Sequence, residues 1–420
     1  MIFLYNERVK KNIVIIGAGF GGTTAAIALA RGIGIYQDEY EIILIDRHRH
    51  QLYTPALYEI ATIPAARAPQ DLLKSSILIP LADIAGKRAM RMMTDEFVGI
   101  KTDEKKIRLA QAGELPYEFL IFALGSETSY FGIPGLAEHS FPLKTFDDAQ
   151  RLRAALEKIA GERSRARVIV GGAGASGVEV AAEFVNFFCA VQEDNGARKP
   201  VCNGEITLVE AGPDILPGFD AWTVRRAKKR LQELGIAVRA GCRIMSVAQN
   251  EIRYKDGAAS EYDILVWTGG VKGPAILADS GMPLSDKDAL LTDEYLCAAG
   301  GGNFIFAVGD NAAAANPHAG RMVIWNVPAA EAEARIAAHN ILAAIRGQER
   351  RKFVPQKKYP FVLALGRKYA IADLSWMRTA GFPGWCLKQL IELRYLLSIL
   401  RFKKALAIWR LGIKTYGSND

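Results

Sequence analysis

Gly17, Gly19 and Gly22 form a G-x-G-x-x-G pattern directly after the apolar, β-branched run Asn12 to Ile16, and the next such run, Glu41 to Asp46, ends on an acid. These residue types at this spacing suit the binding of a dinucleotide. The first glycine permits a tight turn, the second lets the backbone approach a pyrophosphate, and the third lets the following helix pack closely. The acid accepts hydrogen bonds from ribose hydroxyls. A bare glycine triplet is a weak signal, because ordinary strand-to-helix turns carry it too. Here the strand before, the helix after and the acid beyond are all present. The constellation then recurs: Gly172, Gly174 and Gly177 follow the run Arg167 to Val170, and Glu210 closes the run Glu205 to Glu210. A Glu in that place binds both adenosine ribose hydroxyls but repels a 2′-phosphate, and neither Ala211 nor Gly212 supplies an Arg to hold one. The second copy is therefore expected to prefer NADH to NADPH.

A third element is FIFAVGD, Phe304 to Asp310, a strand that delivers Gly309 and Asp310 to its end. A chain that leaves one nucleotide domain for an insert must return to complete it, and a Gly-Asp turn can bring a carboxylate to a ribityl or pyrophosphate group. Two apolar runs of like form, FLIFALGS (Phe119 to Ser126) and DILVWTGG (Asp263 to Gly270), read as strands closing each nucleotide domain. Their small residues suit structure and ligand binding equally.

Positioning these groups requires strands alternating with Ala-rich helices, which predicts parallel sheets covered on both faces. The expected fold is α/β with two Rossmann-type dinucleotide-binding domains, the second inserted in the first, followed by a C-terminal helical segment. The boundaries read 1–150 and 285–350 for the two parts of the first domain, 151–284 for the insert and 351–420 for the C-terminal segment. At 420 residues, half of them apolar, the chain is long enough for two large cores and an appendage. No stretch reaches the roughly 18 apolar residues that would span a bilayer. Met1 to Lys11 lacks the basic start and cleavage site of a secretory signal, so a cytoplasmic setting is expected. Cys189, Cys202, Cys242, Cys297 and Cys386 show no C-x-x-C or metal-ligand spacing. They read as buried apolar fillers in a reducing compartment, and no metal site is expected.

The order GAGFGG, acid-ended strand, LYTPALYEIAT (Leu52 to Thr62), ALGS, GGAGASGVEVAAEF (Gly171 to Phe184), LVEAG, WTGGVKGP and FAVGD resembles the two-dinucleotide-fold flavoproteins, specifically the type II NADH:quinone oxidoreductases, over nearly the whole chain. The resemblance implies FAD contacts by Gly17, Gly19, Gly22, Asp46, Thr54, Pro55, Gly309 and Asp310. It implies NADH contacts by Gly172, Gly174, Gly177, Glu179 and Glu210. It also implies a catalytic place for Glu179 between nicotinamide and flavin, where the carboxyl anchors the nicotinamide amide or relays a proton to the reduced acceptor. The plainer reading of Glu179 is a solvated acid favoured by the helix dipole. The wider superfamily sets a cysteine against the flavin, and with no Cys before Cys189 a thiol relay has no reagents here. One departure concerns the acceptor. The family carries two glutamines, four residues apart, where this chain has Pro328 and Ala332, with Glu331 and Glu333 nearby as solvated helix acids.

The net charge of +8 gathers at the C-terminus. Lys388, Arg394, Arg401, Lys403, Lys404, Arg410 and Lys414 face the single acid Glu392, and Leu390, Leu393, Leu397 and Leu400 share one helical face. Phe402, Ala405, Leu406 and Trp409 share another. Apolar stripes flanked by cations predict a helix pair lying in a membrane interface, with a domain-packing or dimer helix as the alternative. Nucleic acid ranks below both, and a homodimer is left open. The expected activity is FAD-dependent transfer of electrons from NADH to a membrane quinone by a peripheral enzyme at the cytoplasmic face of the cell membrane. The alternatives are an NADH-dependent reductase of a small redox protein and a flavin-bound NADH sensor.

Overall fold

The computed structural model describes residues 9–194, 203–318 and 320–417. The chain divides into two compact units. The first comprises Met1–Gln51, Ile79–Glu127 and Val271–Tyr359, and the second Leu52–Leu78, Thr128–Gly270 and Pro360–Asp420.

The core of the first unit is a five-stranded parallel sheet in the order Ile305–Ala307, Phe119–Phe122, Lys11–Ile16, Tyr40–Asp46, Arg91–Thr94. Ile13, Val14, Ile15, Ile43, Leu44 and Ile45 are wholly buried. Such continuously apolar strands belong to a sheet covered on both faces. Helix Phe20–Gly32 packs against helix Val327–Ile345. The latter begins with Asn326, whose side chain accepts from Ala329 N, and with a Pro in its first turn, where a missing N–H costs nothing. A three-stranded antiparallel sheet, Phe97–Lys101, Lys106–Leu109 and Gly113–Pro116, precedes the strand Phe119–Phe122.

The second unit repeats this plan. Its parallel sheet runs Phe141–Pro142, Ile264–Trp267, Ala166–Gly171, Gly204–Val209, Ala237–Arg239. Its antiparallel sheet, Ile244–Ala248, Glu251–Tyr254 and Ala259–Glu261, again precedes the strand that pairs with the glycine-turn strand. Both antiparallel sheets carry a register shift near the start of their first strand, between Phe97 and Gly99 and between Ile244 and Ser246. The duplication read from the sequence thus extends to strand order.

Three further segments complete the second unit. Helix Phe146–Glu162 opens on a capping box in which Thr145 accepts from Asp148 N and Asp148 accepts from Thr145 N. The buried guanidinium of Arg153 on this helix donates to Ile63 O and Ala68 O, each at 2.6 Å. It thereby fixes the loop that follows helix Leu57–Thr62. The antiparallel sheet Phe361–Ala364, Ala370–Asp373, Arg378–Gly381 leads into helices Phe382–Ile399 and Phe402–Tyr416. The first helix packs on that sheet, and the second on helix Gln70–Ile77, where Tyr416 hydroxyl meets Ser76 Oγ at 3.0 Å.

Candidate dinucleotide sites and a buried carboxyl cluster

In the first unit every glycine of the fingerprint has a separate physical duty. Gly17 sits at φ +98°, and a Cβ there would stand 2.3 Å from Ala123 O. A Cβ on Gly22 would stand 1.8 Å from Gly17 O. Gly19 has nothing within 4 Å of the place a Cβ would take, so its backbone faces open space at a helix N-terminus. Asp46 accepts from Ala18 N at 2.7 Å and from His48 N at 2.8 Å, which fixes its carboxylate beside the turn. Gly309 and Asp310 arrive at the carboxyl edge of the same sheet. Gly309 takes φ +75°, Asp310 accepts from Ser126 Oγ at 2.9 Å, and the wholly buried Asn311 accepts from Gly125 N and donates to Phe122 O. Gly17, Gly19, Gly22, Asp46, Gly309 and Asp310 therefore line one sheet edge, where open α/β folds bind ligands.

The second unit repeats the arrangement closely. Gly172 has φ +97°, with a would-be Cβ 2.3 Å from Gly269 Cα. The corresponding atom on Gly177 would lie 1.9 Å from Gly172 O, and Gly174 again has nothing within 4 Å. Glu210 accepts from Ala173 N at 2.8 Å and Gly212 N at 2.7 Å. Two cradles, each with one backbone stretch bare of side chains, fit two dinucleotides. Thr54 and Pro55 belong to the second unit, both exposed in the single turn Thr54–Ala56.

Glu179, in helix Ala175–Asp194, is not a solvated first-turn acid. It is half-buried and accepts from Ala364 N at 3.1 Å. Burial, together with the neighbouring charge of Glu59, raises its pKa to about 8 against the opposing pulls of Ala364 N–H and Lys388. It is one of a group. Lys388 is ion-paired with Glu59 and lies 5.3 Å from the Tyr58 ring. Glu392 is 4% exposed, and burial and Glu59 push it up to about 7 although Lys388 opposes this. Burial raises Glu59 as well, with Lys388 pulling it down. Glu183, 5% exposed, accepts from Asn186. Four carboxyl groups thus gather about one ammonium, and burial raises three of them, Glu59, Glu179 and Glu392, toward the protonated form.

Sequence reasoning missed this cluster. Lys388 was counted with the surface cations and Glu392 as their counter-acid, and both point inward. Glu59 sat unremarked within LYEIAT. A lone acid in an apolar helix, and a lone acid in a basic segment, were the available signals. Glu331 and Glu333, read as solvated, are 4% and 3% exposed. Glu331 pairs with Arg335 and Glu333 accepts from Gly309 N at 2.7 Å.

The family model described as pyridine nucleotide-disulphide oxidoreductase matches residues 11–334. The chain belongs to this family. Within it, the chain is similar to the type II NADH:quinone oxidoreductase Ndh of Mycobacterium tuberculosis, with 27% identity covering 95% of this chain and 87% of the relative. It is also similar to the demethylphylloquinone reductase NdbB of a Synechocystis strain, with 25% identity over 91% and 92%. The fold matches that of NDH2 from Plasmodium falciparum, solved in complex with NADH, at a TM-score of 0.81 and 18% identity over 97% of this chain and 99% of that one. The resemblance to the type II enzymes read from the sequence holds. The protein is an oxidoreductase of the NADH dehydrogenase kind, with FAD and NAD(H) as cofactors.

Other members of a family named for pyridine nucleotides and disulphides set thiols against the flavin. Here Cys242, Cys297 and Cys386 are free; Cys242 and Cys386 are half-buried rather than the buried fillers expected, and burial pushes the Cys297 thiol up to about 11, which disfavours the reactive thiolate. Cys189 is buried, as expected. Cys202 lies outside the described residues.

Two outcomes test these sites. Gly19→Ala and Gly174→Ala meet no protein atom, so each is expected to leave the unfolding midpoint unchanged while weakening FAD or NADH binding, respectively, at least about tenfold, or 1.4 kcal/mol. Calorimetric titration and thermal unfolding of each variant separate the two effects, and unchanged affinity would count against the cradles. The second outcome concerns pH. Folded Glu179 keeps a proton that the unfolded chain releases near the ordinary carboxyl pKa of about 4.3, so its contribution is fully present below that value and is lost as pH rises through about 8. Glu179→Gln should therefore gain stability over the unmodified protein progressively between about pH 4.5 and 8.5. Urea unfolding across that range would show a constant difference if the carboxyl were ordinary.

Proposed function

We propose that this chain is a peripheral-membrane NADH dehydrogenase that uses FAD to pass electrons from NADH to a membrane quinone, at the cytoplasmic face of the cell membrane. The observation that carries the reading is the doubled cradle, two fingerprint turns each with an open central glycine and an acid locked beside it. When bound, FAD supplies a hydride acceptor and two-electron carrier, and the chain's part is binding and orientation. Gly17, Gly19, Gly22, Asp46, Gly309 and Asp310, with Thr54 and Pro55, are the residues assigned to FAD. Gly172, Gly174, Gly177 and Glu210 are assigned to NADH. Reducing a quinone to a quinol consumes two protons, and Glu179, whose pKa burial raises to about 8, is suited to deliver one. The relatives named for quinone reduction support the acceptor class.

The replacement of the family's glutamines by Pro328 and Ala332 favours a second reading, a reductase of a small redox protein. The basic tail favours the first. No described helix is long and apolar enough to cross a membrane. Leu390, Arg394, Leu397 and Arg401 nevertheless share one exposed face of the C-terminal helices, with Phe402 67% exposed at the bend between them. Lys403, Lys404, Arg410 and Lys414 are exposed as well. The opposite face buries Glu392, Tyr395, Leu396 and Ile399. This divides the expected stripes: Leu390 and Leu397 point outward, while Leu400 and Ala405 are buried and Trp409 donates to Gln389 O at 2.8 Å.

Steady-state kinetics with a quinone analogue are expected to favour NADH over NADPH by at least about tenfold in kcat/KM, with Glu210→Gln narrowing the gap. Equal efficiencies would refute the assignment of Glu210, and turnover with a small electron-carrier protein but with no quinone would establish the second reading. For the membrane contact, Lys403, Lys404 and Arg410 changed together to Gln should weaken binding to anionic vesicles, each cation contributing about 1 kcal/mol near the surface at low salt. Phe402→Ser with Leu397→Ser should weaken binding to neutral vesicles too. Vesicle partitioning unaltered by either set would remove the membrane assignment.

A further inference from the structure

Glu333 has no duty in the activity described so far, yet its placement is specific. It lies one turn and a half into helix Val327–Ile345, 3% exposed, and its Oε2 accepts from the backbone N–H of Gly309 at 2.7 Å. Gly309 occupies the left-handed region at φ +75°, and a Cβ there would stand 3.4 Å from Ala330 Cβ on the same helix. The next residue is Asp310, assigned to FAD. The turn is thus held from two sides, by Glu333 on Gly309, and by Ser126 on Asp310 together with the bonds of Asn311 to Gly125 N and Phe122 O. Of these holds, only that from Glu333 comes from a side chain that can lose its charge.

We propose that Glu333 is a positioning residue for FAD, acting through the Gly309–Asp310 turn, and that its ionisation is linked to reduction of the bound flavin. The inference rests on FAD binding at that turn. The linkage has a simple electrostatic origin. A buried carboxylate in a low-dielectric surrounding is felt strongly by its neighbours, and electrons arriving at the nucleotide raise its affinity for a proton. Burial and the charge of Asp310 push the Glu333 pKa to about 8, while the Gly309 N–H holds it down, so it crosses between states within a working pH range. The other groups that face it are few. Asp310 stands on the turn, and Tyr359, itself raised by burial, approaches from the following chain. On its own helix Glu331 is neutralised by Arg335. Helix Phe20–Gly32, packed against it, carries no ionisable side chain before Arg31 in its last turn. No buried cation therefore opposes the effect among the described residues of these elements.

Glu333→Gln retains an oxygen to accept from Gly309 N and removes the charge, while Glu333→Ala removes both. The measurement is the flavin midpoint potential of each FAD-loaded protein by spectroelectrochemistry at pH 6.5 and 9.5, with FAD affinity from titration of the apoprotein. The Gln variant should match the unmodified protein at pH 6.5. At pH 9.5 its reduction equilibrium constant should be about tenfold larger, or roughly 30 mV for a two-electron couple. Its FAD affinity should stay within about threefold, and that of the Ala variant should fall at least about tenfold. A gap between Gln and unmodified protein that is the same at both pH values, or no gap at all, overturns the linkage. An Ala variant that binds FAD normally overturns the positioning role. Where the variants do not fold, infrared difference spectra of the unmodified holoprotein decide the matter. Reduction near pH 8.5 should produce a protonated-carboxyl band, and its absence overturns the linkage. An unmodified protein that takes up no FAD overturns both this inference and the FAD site beneath it.

Discussion

The constraint on which both units depend is a backbone contact that leaves no room for a side chain. In each, the turn after the central strand brings a glycine against the chain of the neighbouring strand's end, Gly17 on Ala123 and Gly172 on Gly269, and the helix glycine presses on the turn itself. A Cβ at any of these points would overlap backbone that cannot withdraw without parting two strands. The left-handed φ of the first glycine aims the chain, and the close approach of the third seats the helix on the sheet. Helix N-terminus, open amide and anchored acid follow from those approaches. The affinity for a dinucleotide is therefore built into the same contacts that hold each parallel sheet to its first helix.

Because this much was local, it was legible. Strand, glycine triplet, helix and acid fall within about 35 residues in the first copy, Asn12 to Asp46, and about 44 in the second, Arg167 to Glu210, and the expected strands match the observed ones closely. The strand expected within FIFAVGD is found at Ile305–Ala307. What stayed hidden was of two kinds. The pairing of Glu59 with Lys388 joins residues 329 apart in sequence, and nothing in either neighbourhood specifies the other. Orientation on the return helix was also hidden, since VPAAEAEARIAAHNIL is apolar and small on nearly every side and offers no moment by which to sort Glu331 and Glu333 inward or outward. In the tail the helices are found but the expected apolar stripes divide, with Leu390 and Leu397 exposed and Leu400 and Ala405 buried, and the rule that charge marks exposure fails. Lys388 and Glu392 break that rule because each has the other's cluster to compensate burial.

The carboxyl cluster is costly to keep. Burying ionisable groups with one cation among four acids lowers stability relative to an apolar filling. It is also placed where structure alone would not ask for it, between the second nucleotide helix, helix Leu57–Thr62 and the first tail helix. That last helix ties the arrangement together. Its inner face supplies Lys388 and Glu392 to the cluster, and its outer face carries Leu390, Arg394 and Leu397. A tail that merely adhered to a surface would need no buried lysine.

The departure at Pro328 and Ala332 takes on a different meaning once the neighbouring acids are placed. Loss of two amides removes uncharged donors and acceptors from the helix start, yet the helix is no less polar in its interior. Glu331 and Glu333 lie on the inward side, one neutralised by Arg335, the other bound to the Gly309 turn. Polar function has thus been kept on the flank that faces the FAD turn while the amide positions have become apolar. The two missing glutamines therefore bear on the choice of acceptor alone, since the turns at Gly17 to Gly22 and Gly172 to Gly177 keep every feature of the dinucleotide fingerprint.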